Sequence, residues 1–134
     1  MKIITTINIG VLVAMALLSG VSYAYDDSKP EEICKKPHFR DFTLEVYKTP
    51  EKKEVSPEAE FSFTVSPWAN PETIKLAAKG KPIPFNLVSN SSFHRVTAKL
   101  PAEYTNDYVR LNVRAVAYLG CHEETGWLVK VAGQ

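Results

Sequence analysis

Three histidines are the side chains of this sequence best suited to metal binding or proton transfer. His38 lies four residues after Cys34, and His122 directly follows Cys121, whereas His94 stands apart from both. A bond between the two cysteines would bring His38 and His122 together, and imidazole is a good copper ligand. No two histidines have helical or zinc-finger spacing. The alternative is that each histidine is an ordinary exposed side chain, and the scarcity of methionine, a soft copper ligand, favours it.

Nothing in the sequence predicts a catalytic site. Ser91-Ser92-Phe93-His94 places serines near a histidine, but the chain has no Gly-x-Ser-x-Gly motif, and a chance neighbourhood explains the group better. The adjacent carboxylates at 26–27, 31–32 and 123–124 have no feature that would desolvate one of them, as glycoside hydrolysis requires. Phosphate-binding and dinucleotide-binding loops are absent from the sequence. We therefore predict a protein without enzymatic activity, catalytic residues or a cofactor.

A tryptophan between two prolines is the best candidate for a binding surface. Trp68 and Asn70 lie in the segment Pro67–Pro71, which we predict to be a rigid loop. Exposed tryptophans of this kind dominate many protein–protein interfaces. The alternative is that Trp68 folds back and covers one end of the core.

Arg110 and Arg114 form a second candidate surface, because they share one parity in a long alternating run. Their side chains would make a basic stripe on the outer face of a sheet, with Lys99 across from them. The alternative, a solvated sheet face without a partner, is the commoner role of such charges.

Residues 1–24 have the features of a cleavable signal peptide. Lys2 is their only charged residue, Ile7–Leu18 is an almost unbroken apolar stretch, and the small residues Ser22 and Ala24 occupy the cleavage-site positions. The apolar stretch is short for a membrane span, which needs about 20 residues; an uncleaved anchor is the alternative. We predict a periplasmic or secreted protein with no membrane span in the mature chain.

The charge balance excludes two classes of partner. The chain has 16 Lys and Arg against 15 Asp and Glu, and removal of the signal peptide, with Lys2, leaves no net charge. A neutral protein lacks the basic surface on which nucleic acids and anionic lipids bind. With 134 residues, 45% hydrophobic and 23% charged, the chain has the size and composition of one globular domain.

Cys34 and Cys121 are the two cysteines of the chain. An exported protein meets an oxidising compartment, in which two thiols normally pair, so we predict a disulfide between them. It would close a long loop, worth roughly 4.5 kcal/mol at most in the chain-entropy model. Trp127 is predicted to pack in the core against this disulfide. The alternative, a redox or metal-binding thiol, has no Cys-x-x-Cys motif to support it.

The apolar side chains of residues 41–134 repeat with a period of two, which indicates β-strands. About seven strands are predicted, near residues 42–46, 59–65, 74–78, 83–87, 96–100, 109–117 and 127–131. We therefore predict an all-β fold, a two-sheet antiparallel β-sandwich. Residues 25–40, which carry Cys34, form a polar lead-in to this domain.

Turn-forming residues separate the predicted strands. Residues 79–81 and 90–92 have turn composition, and residues 120–126 are predicted to form a loop before the last strand. Pro82 and Pro84 lack the backbone N–H that a central strand needs, so we predict that the run beside them is an edge strand or an irregular segment.

Leu100-Pro101 precedes Asp107-Tyr108, and Tyr108 begins the long alternating run Val109–Ala115. This arrangement resembles immunoglobulin-like and fibronectin-type-III-like domains, in which a Leu-Pro pair precedes a Tyr that starts a long strand. Tyr108 is one position out of phase with the core-facing residues of the run. The resemblance implies an immunoglobulin-like sandwich and implies no particular activity.

Taken together, these patterns favour a non-enzymatic, periplasmic or secreted immunoglobulin-like module. It would bind another protein of the cell envelope or extracellular space, through loops such as residues 66–72 or through an edge strand. Trp68, Asn70, Arg110 and Arg114 are the predicted binding residues. The alternative function is a small periplasmic carrier of copper or of a substrate, with His38 and His122 as metal ligands.

Overall fold

The computed structural model describes residues 33–134, so the predicted signal peptide and residues 25–32 of the lead-in lie outside the described residues. From Cys34 onward it contains eight strands and a single short 3-10 turn, Ala102–Tyr104. The strands are β1 Phe39–Arg40, β2 Glu60–Val65, β3 Ala69–Ala78, β4 Lys81–Pro82, β5 Phe85–Ser89, β6 His94–Lys99, β7 Tyr108–Ala117 and β8 His122–Lys130. Within residues 33–134, no helix is long and apolar enough to cross a membrane.

The strands form two antiparallel sheets that enclose one core. The first sheet has the order β1-β2-β6-β5, and the second has the order β4-β3-β7-β8. Large side chains from both sheets contribute to a single buried cluster. The prediction of an all-β, two-sheet antiparallel sandwich is confirmed.

The alternation of the sequence decides which side chains enter the core. Phe61 and Phe63 of β2, and Leu111 and Val113 of β7, are at most 1% exposed. The intervening Arg110 of β7 is exposed, because successive side chains of a strand point to opposite faces. Each large apolar side chain buried in this way contributes about 1.5–3 kcal/mol to folding.

The first predicted strand, near 42–46, is not a strand. Its residues cross from the first sheet to the second: the Thr43 N–H donates to the Ser62 carbonyl at 3.1 Å, and the Tyr47 N–H donates to the Leu128 carbonyl of β8 at 2.8 Å. A segment that changes sheets within a few residues cannot form a regular ladder with either one. Phe42 and Leu44 alternate because they still pack against the core, whereas Val46 is exposed. Sheet pairing begins earlier, in β1.

The predicted loop at 120–126 is also wrong. β8 begins at His122 and pairs with β7 without interruption, from Val116↔His122 to Tyr108↔Lys130. The sequence lacks apolar alternation in the first half of β8 because these residues lie at a sheet edge and are not covered by the core. Only the turn before Cys121 connects the two strands.

Trp127 is partly buried and packs against the core. Its aromatic neighbours are Phe42 and Phe63, and the predicted contact was with the disulfide. Its ring stacks on Phe42, with centroids 4.3 Å apart and planes within 2°, and lies 5.1 Å from the ring of Phe63. Trp127 thereby fills the space where the crossing segment passes between the two sheets.

Pro82 and Pro84 divide one predicted strand between the two sheets. Lys81–Pro82 forms the short edge strand β4 of the second sheet, and the Ile83 N–H donates to the Leu76 carbonyl at 2.9 Å. After Pro84 the chain enters the first sheet as β5, at its edge. The predicted edge position is confirmed. The chain around residues 81–89 contributes an edge strand to each sheet, β4 to the second and β5 to the first.

The predicted disulfide is confirmed. Cys34 and Cys121 are bonded, with Cα atoms 6.0 Å apart and 87 residues apart in sequence. The bond fastens the lead-in to the turn between β7 and β8. A disulfide of this kind is typical of an oxidising compartment outside the cytosol.

Candidate functional site

Trp68 and His38, which lie far apart in sequence, meet at one end of the sandwich. The Ser66 N–H donates to the His38 carbonyl at 3.0 Å, and the His38 N–H donates to Ser66 Oγ at 2.9 Å. Pro67 then restricts the backbone, and the Ala69 N–H closes a turn on the Ser66 carbonyl at 3.1 Å. This turn between β2 and β3 directs Trp68 onto the lead-in.

Three contacts hold the Trp68 ring in one orientation. Its Nε1–H donates to the Lys36 carbonyl at 2.9 Å. The His38 ring meets it edge-on with centroids 5.4 Å apart, and Lys35 Nζ lies 4.1 Å from the ring centroid. The disulfide anchors the chain one residue earlier. Trp68 is half-buried, so it neither caps the core completely nor extends freely from a loop.

A cleft of about 340 Å³ opens beside Trp68. Two aromatic rings from different loops line it, Trp68 and Phe93, together with a cation and an acid at the end of β1, Arg40 and Asp41. The other lining residues are His38, Thr64, Val65, Ser66, Pro67 and Ser92. We call this site the Trp68 cleft.

Positive charge predominates around the Trp68 cleft. Arg40 and Arg95 flank Thr64 on the outer face of the first sheet, and the Arg95 guanidinium lies 4.9 Å from the centre of the Phe93 ring. Asp41 is the one acid that lines the cleft, and it already accepts a hydrogen bond from the Thr64 hydroxyl at 3.2 Å. The cleft therefore suits a ligand with both apolar and acidic groups.

Asn70 shapes the start of β3 and does not line the cleft. β3 begins at Ala69, so the predicted rigid loop is limited to the residues before it. Asn70 Oδ1 accepts the Glu72 N–H at 3.0 Å, and its carbonyl accepts the Thr73 hydroxyl at 2.7 Å. These bonds stabilise the irregular stretch in which the β3–β7 register shifts.

Arg110 and Arg114 lie on the outer face of the second sheet, away from the Trp68 cleft. Both are exposed, and Arg114 sits in register between Lys75 of β3 and Glu124 of β8. Lys99 was expected across from the arginines, but it belongs to β6 of the first sheet. The basic stripe is therefore completed by Lys75 and interrupted by Glu124.

The two predicted metal ligands occupy separate settings. His38 packs its ring on Trp68, whereas His122 begins β8 opposite Val116 and is exposed. Among residues 33–134 there is no group of three or more His, Cys, Asp or Glu side chains that could hold a metal ion. The pairing of His38 with His122 at a metal stays a prediction.

His94 joins the two sheets. It is 5% exposed; its Nδ1 lies 2.7 Å from Ser89 Oγ, and its Nε2 lies 3.0 Å from the Ala69 carbonyl of the opposite sheet. A backbone carbonyl occupies the position in which a catalytic triad has a carboxylate. The neighbouring serines 91 and 92 lie in the exposed turn before β6. We therefore assign His94 a structural role.

Within residues 33–134, the two side chains with clearly shifted pKa values lie at the other end of β7, not in the cleft. A hydrogen bond from Lys79, and then one from the Tyr108 N–H, hold the pKa of Asp107 below its usual range. The hydrogen bond between Tyr47 and Tyr108 raises the pKa of Tyr47. All of these groups are at the surface, so they adjust stability slightly and create no reactive group.

Sequence reasoning missed Arg40, Asp41 and Phe93 as parts of a site. Each looks ordinary in sequence, since Arg40 ends the lead-in, Asp41 directly follows it and Phe93 comes after a turn. Only the pairing of β1 with β2 brings the first two beside Trp68. A Pro-Trp pair was the one signal that pointed to this end of the molecule.

No family model matches the chain, and none of the curated proteins with which it was compared matches it either. The basis for a functional proposal is therefore the site itself.

Proposed function

We propose that this protein is a non-enzymatic, exported, immunoglobulin-like module that binds another protein in the Trp68 cleft. The observation that carries the proposal is a half-buried tryptophan ring, fixed by three contacts, at the wall of a cleft. A fixed aromatic ring loses little conformational entropy when a partner binds, and tryptophan is the residue most enriched among binding hot spots.

The lining of the cleft indicates the kind of segment it would accept. Trp68 and Phe93 offer two aromatic surfaces, and Arg40, Arg95 and Lys35 supply positive charge near them. A partner segment with an apolar side chain beside one or two carboxylates would meet both features. The carboxylates would gain charge-assisted hydrogen bonds, for which arginine is well suited.

The strand order supports the immunoglobulin-like part of the proposal. In those domains strands A, B, E and D form one sheet, and strands C, F and G form the other. The orders β1-β2-β6-β5 and β4-β3-β7-β8 correspond to A-B-E-D and to C-F-G with one added edge strand. The disulfide supports export, since such bonds persist outside the cytosol.

Two variants test the binding site, with a third as control. Trp68→Ala removes the aromatic wall, and Arg40→Glu reverses a charge at the rim; Tyr118→Ala removes an aromatic ring that is 66% exposed outside the cleft. Each would be used as bait for cross-linking and capture from the envelope fraction of the source cells, with melting temperatures measured in parallel.

We expect one partner to be captured by the wild type and by Tyr118→Ala, and at least tenfold less of it by Trp68→Ala and Arg40→Glu. The melting temperatures should stay within a few degrees of one another, because these side chains are outside the core. Equal capture by all four proteins would contradict the proposal. So would unfolding of Trp68→Ala together with unchanged capture by Arg40→Glu.

A further inference from the structure

β5 is an edge strand of five residues, and within residues 33–134 no backbone hydrogen bond covers its outer edge. The edge strands β1 and β4 have two residues each. The second half of the β8 edge is covered, because Tyr47 and Val55 donate their N–H groups to the carbonyls of Leu128 and Lys130 at 2.8 and 2.9 Å. The first half carries Glu123 and Glu124, and charges at an edge oppose pairing with another strand. β5 pairs with β6 alone, so its second edge is free for another strand.

The turn after β5 fixes which backbone groups face outward. The Asn90 N–H donates to the Phe93 carbonyl at 2.9 Å, which makes Asn90 and Phe93 a hydrogen-bonded pair. Such pairs alternate along an antiparallel ladder. The N–H and C=O groups of Phe85, Leu87 and Ser89 must therefore point away from β6, toward solvent.

This edge lacks the charged residues that usually prevent strand pairing. No Lys, Arg, Asp or Glu stands between Lys81 and Arg95. Val88 is 66% exposed and Leu87 37% exposed. An apolar cavity of about 470 Å³ lies alongside, lined in part by Ile74, Leu76, Ile83 and Phe85.

We propose that β5 pairs antiparallel with β5 of a second copy of this chain, about a two-fold axis at Leu87. Leu87 then lies opposite the partner's Leu87, and Phe85 lies opposite the partner's Ser89. The outward backbone groups form about six hydrogen bonds across the axis. This interface is distinct from the Trp68 cleft, so it does not depend on the proposed binding function.

The charge pattern favours a second copy over a different partner. In this register Asn86 lies opposite the partner's Val88, and no like charges face each other, which would oppose self-pairing. In this register Pro84, which precedes β5, lies opposite the partner's Asn90, and neither residue carries a charge. The same edge offers no charged group with which to select an unrelated strand. A single strand pair buries less area than obligate dimers do, so we expect a dissociation constant in the micromolar range, on the order of 10 μM.

Charge substitutions at two exposed positions test both the pairing and its register. Asn86→Lys with Val88→Lys places two lysines opposite each other across the axis, at the close, non-hydrogen-bonded positions. Asn86→Glu with Val88→Lys instead places each glutamate opposite the partner's lysine. As a matched control, Tyr118→Lys with Leu119→Lys adds the same charge at two side chains that are 66% and 69% exposed in the β7–β8 turn.

Sedimentation equilibrium of the purified, disulfide-bonded protein from low to several hundred micromolar gives the dissociation constants. The wild type and the control should dimerise with similar constants. The double lysine variant should bind at least tenfold more weakly, and the Glu/Lys variant should recover to within about threefold of the wild type, since its charges attract. Circular dichroism and melting curves confirm that each variant is folded.

A wild type that stays monomeric over the whole range would overturn the proposal. So would undiminished dimerisation of the folded double lysine variant, or a loss of the dimer in the control. If the Glu/Lys variant stayed as weak as the double lysine variant, the register at Leu87 would be refuted.

Discussion

Replacement of His94 reports directly on how the two sheets are joined. The ring is buried, and it spans from Ser89 Oγ, at 2.7 Å from Nδ1, to the Ala69 carbonyl, at 3.0 Å from Nε2. Because a carbonyl can only accept a hydrogen bond, Nε2 must donate a proton to Ala69, whereas Nδ1 faces the serine hydroxyl, which can donate or accept. The two nitrogens therefore have separable structural roles.

Two substitutions of His94 separate the role of Nε2 from that of Nδ1. The side-chain amide of Gln reaches the position of Nε2, and the shorter one of Asn reaches that of Nδ1. His94→Asn keeps a polar group near Ser89 but leaves the Ala69 carbonyl, which is fully buried, without a donor. An unsatisfied buried carbonyl costs about 1–3 kcal/mol, and the space left by the ring adds to it, so we expect a loss of about 3 kcal/mol. His94→Gln can still donate to Ala69, and we expect it to lose about 1–2 kcal/mol.

Urea unfolding, monitored by tryptophan fluorescence and circular dichroism, measures these differences in the free energy of unfolding. The comparison requires that the variants share one m-value, the slope of that free energy against urea concentration. Ser89→Ala is the control for the outer hydrogen bond, which joins residues of one sheet and should contribute no more than about 1 kcal/mol. The inference that His94 bridges the sheets would be refuted if His94→Asn were as stable as His94→Gln. A total loss below about 1 kcal/mol in His94→Asn would refute it as well, because it would mean that the Ala69 carbonyl needs no donor.

Three further predictions follow from contacts in the described structure. Replacement of Cys34 and Cys121 by serine should lower the free energy of unfolding by at most about 4.5 kcal/mol, because the unfolded chain is no longer cross-linked. An unchanged midpoint of urea denaturation would contradict this stabilisation by the disulfide. Asp107 has its pKa lowered in the folded state, so its contribution is present above about pH 4 and is lost as the pH falls through the folded pKa. Melting temperatures measured from about pH 5 to pH 2 should accordingly fall less steeply for Asp107→Asn, and parallel curves would refute this. Trp127→Ala should lose about 2–4 kcal/mol because it leaves a cavity beside Phe42, and a stability equal to that of Trp68→Ala would show that the aromatic stack is not part of the core.

The strands that sequence alone could predict are those with one face on the core. β2, β6 and β7 alternate between apolar and polar residues, and their positions in the structure agree with that pattern to within a few residues. The first half of β8 has no such pattern, because an edge strand needs backbone partners rather than apolar ones. The segment at 42–46 has the pattern without the strand, since its side chains pack on the core while its backbone changes sheets.

The candidate site was predictable only in part, and for a related reason. Trp68 stands out in sequence because prolines bound its segment. Arg40, Asp41 and Phe93 become neighbours of Trp68 through β1–β2 pairing and the turn before β6. Asn70 does not line the cleft, and Arg110 and Arg114 lie on the outer face of the second sheet. Parity within a strand does not say which sheet, or which end of it, the strand will occupy.

The sequence by itself determined the all-β class, the sandwich and the disulfide. Those features depend on the two-residue alternation of apolar side chains and on two cysteines in a chain with the pattern of an exported protein, which are local or compositional properties. Only the tertiary structure decided the order of the strands in each sheet, where Trp68 rests and which residues surround it. Prolines indicate an edge strand locally, but strand order depends on contacts between segments far apart in sequence, and no local pattern encodes those.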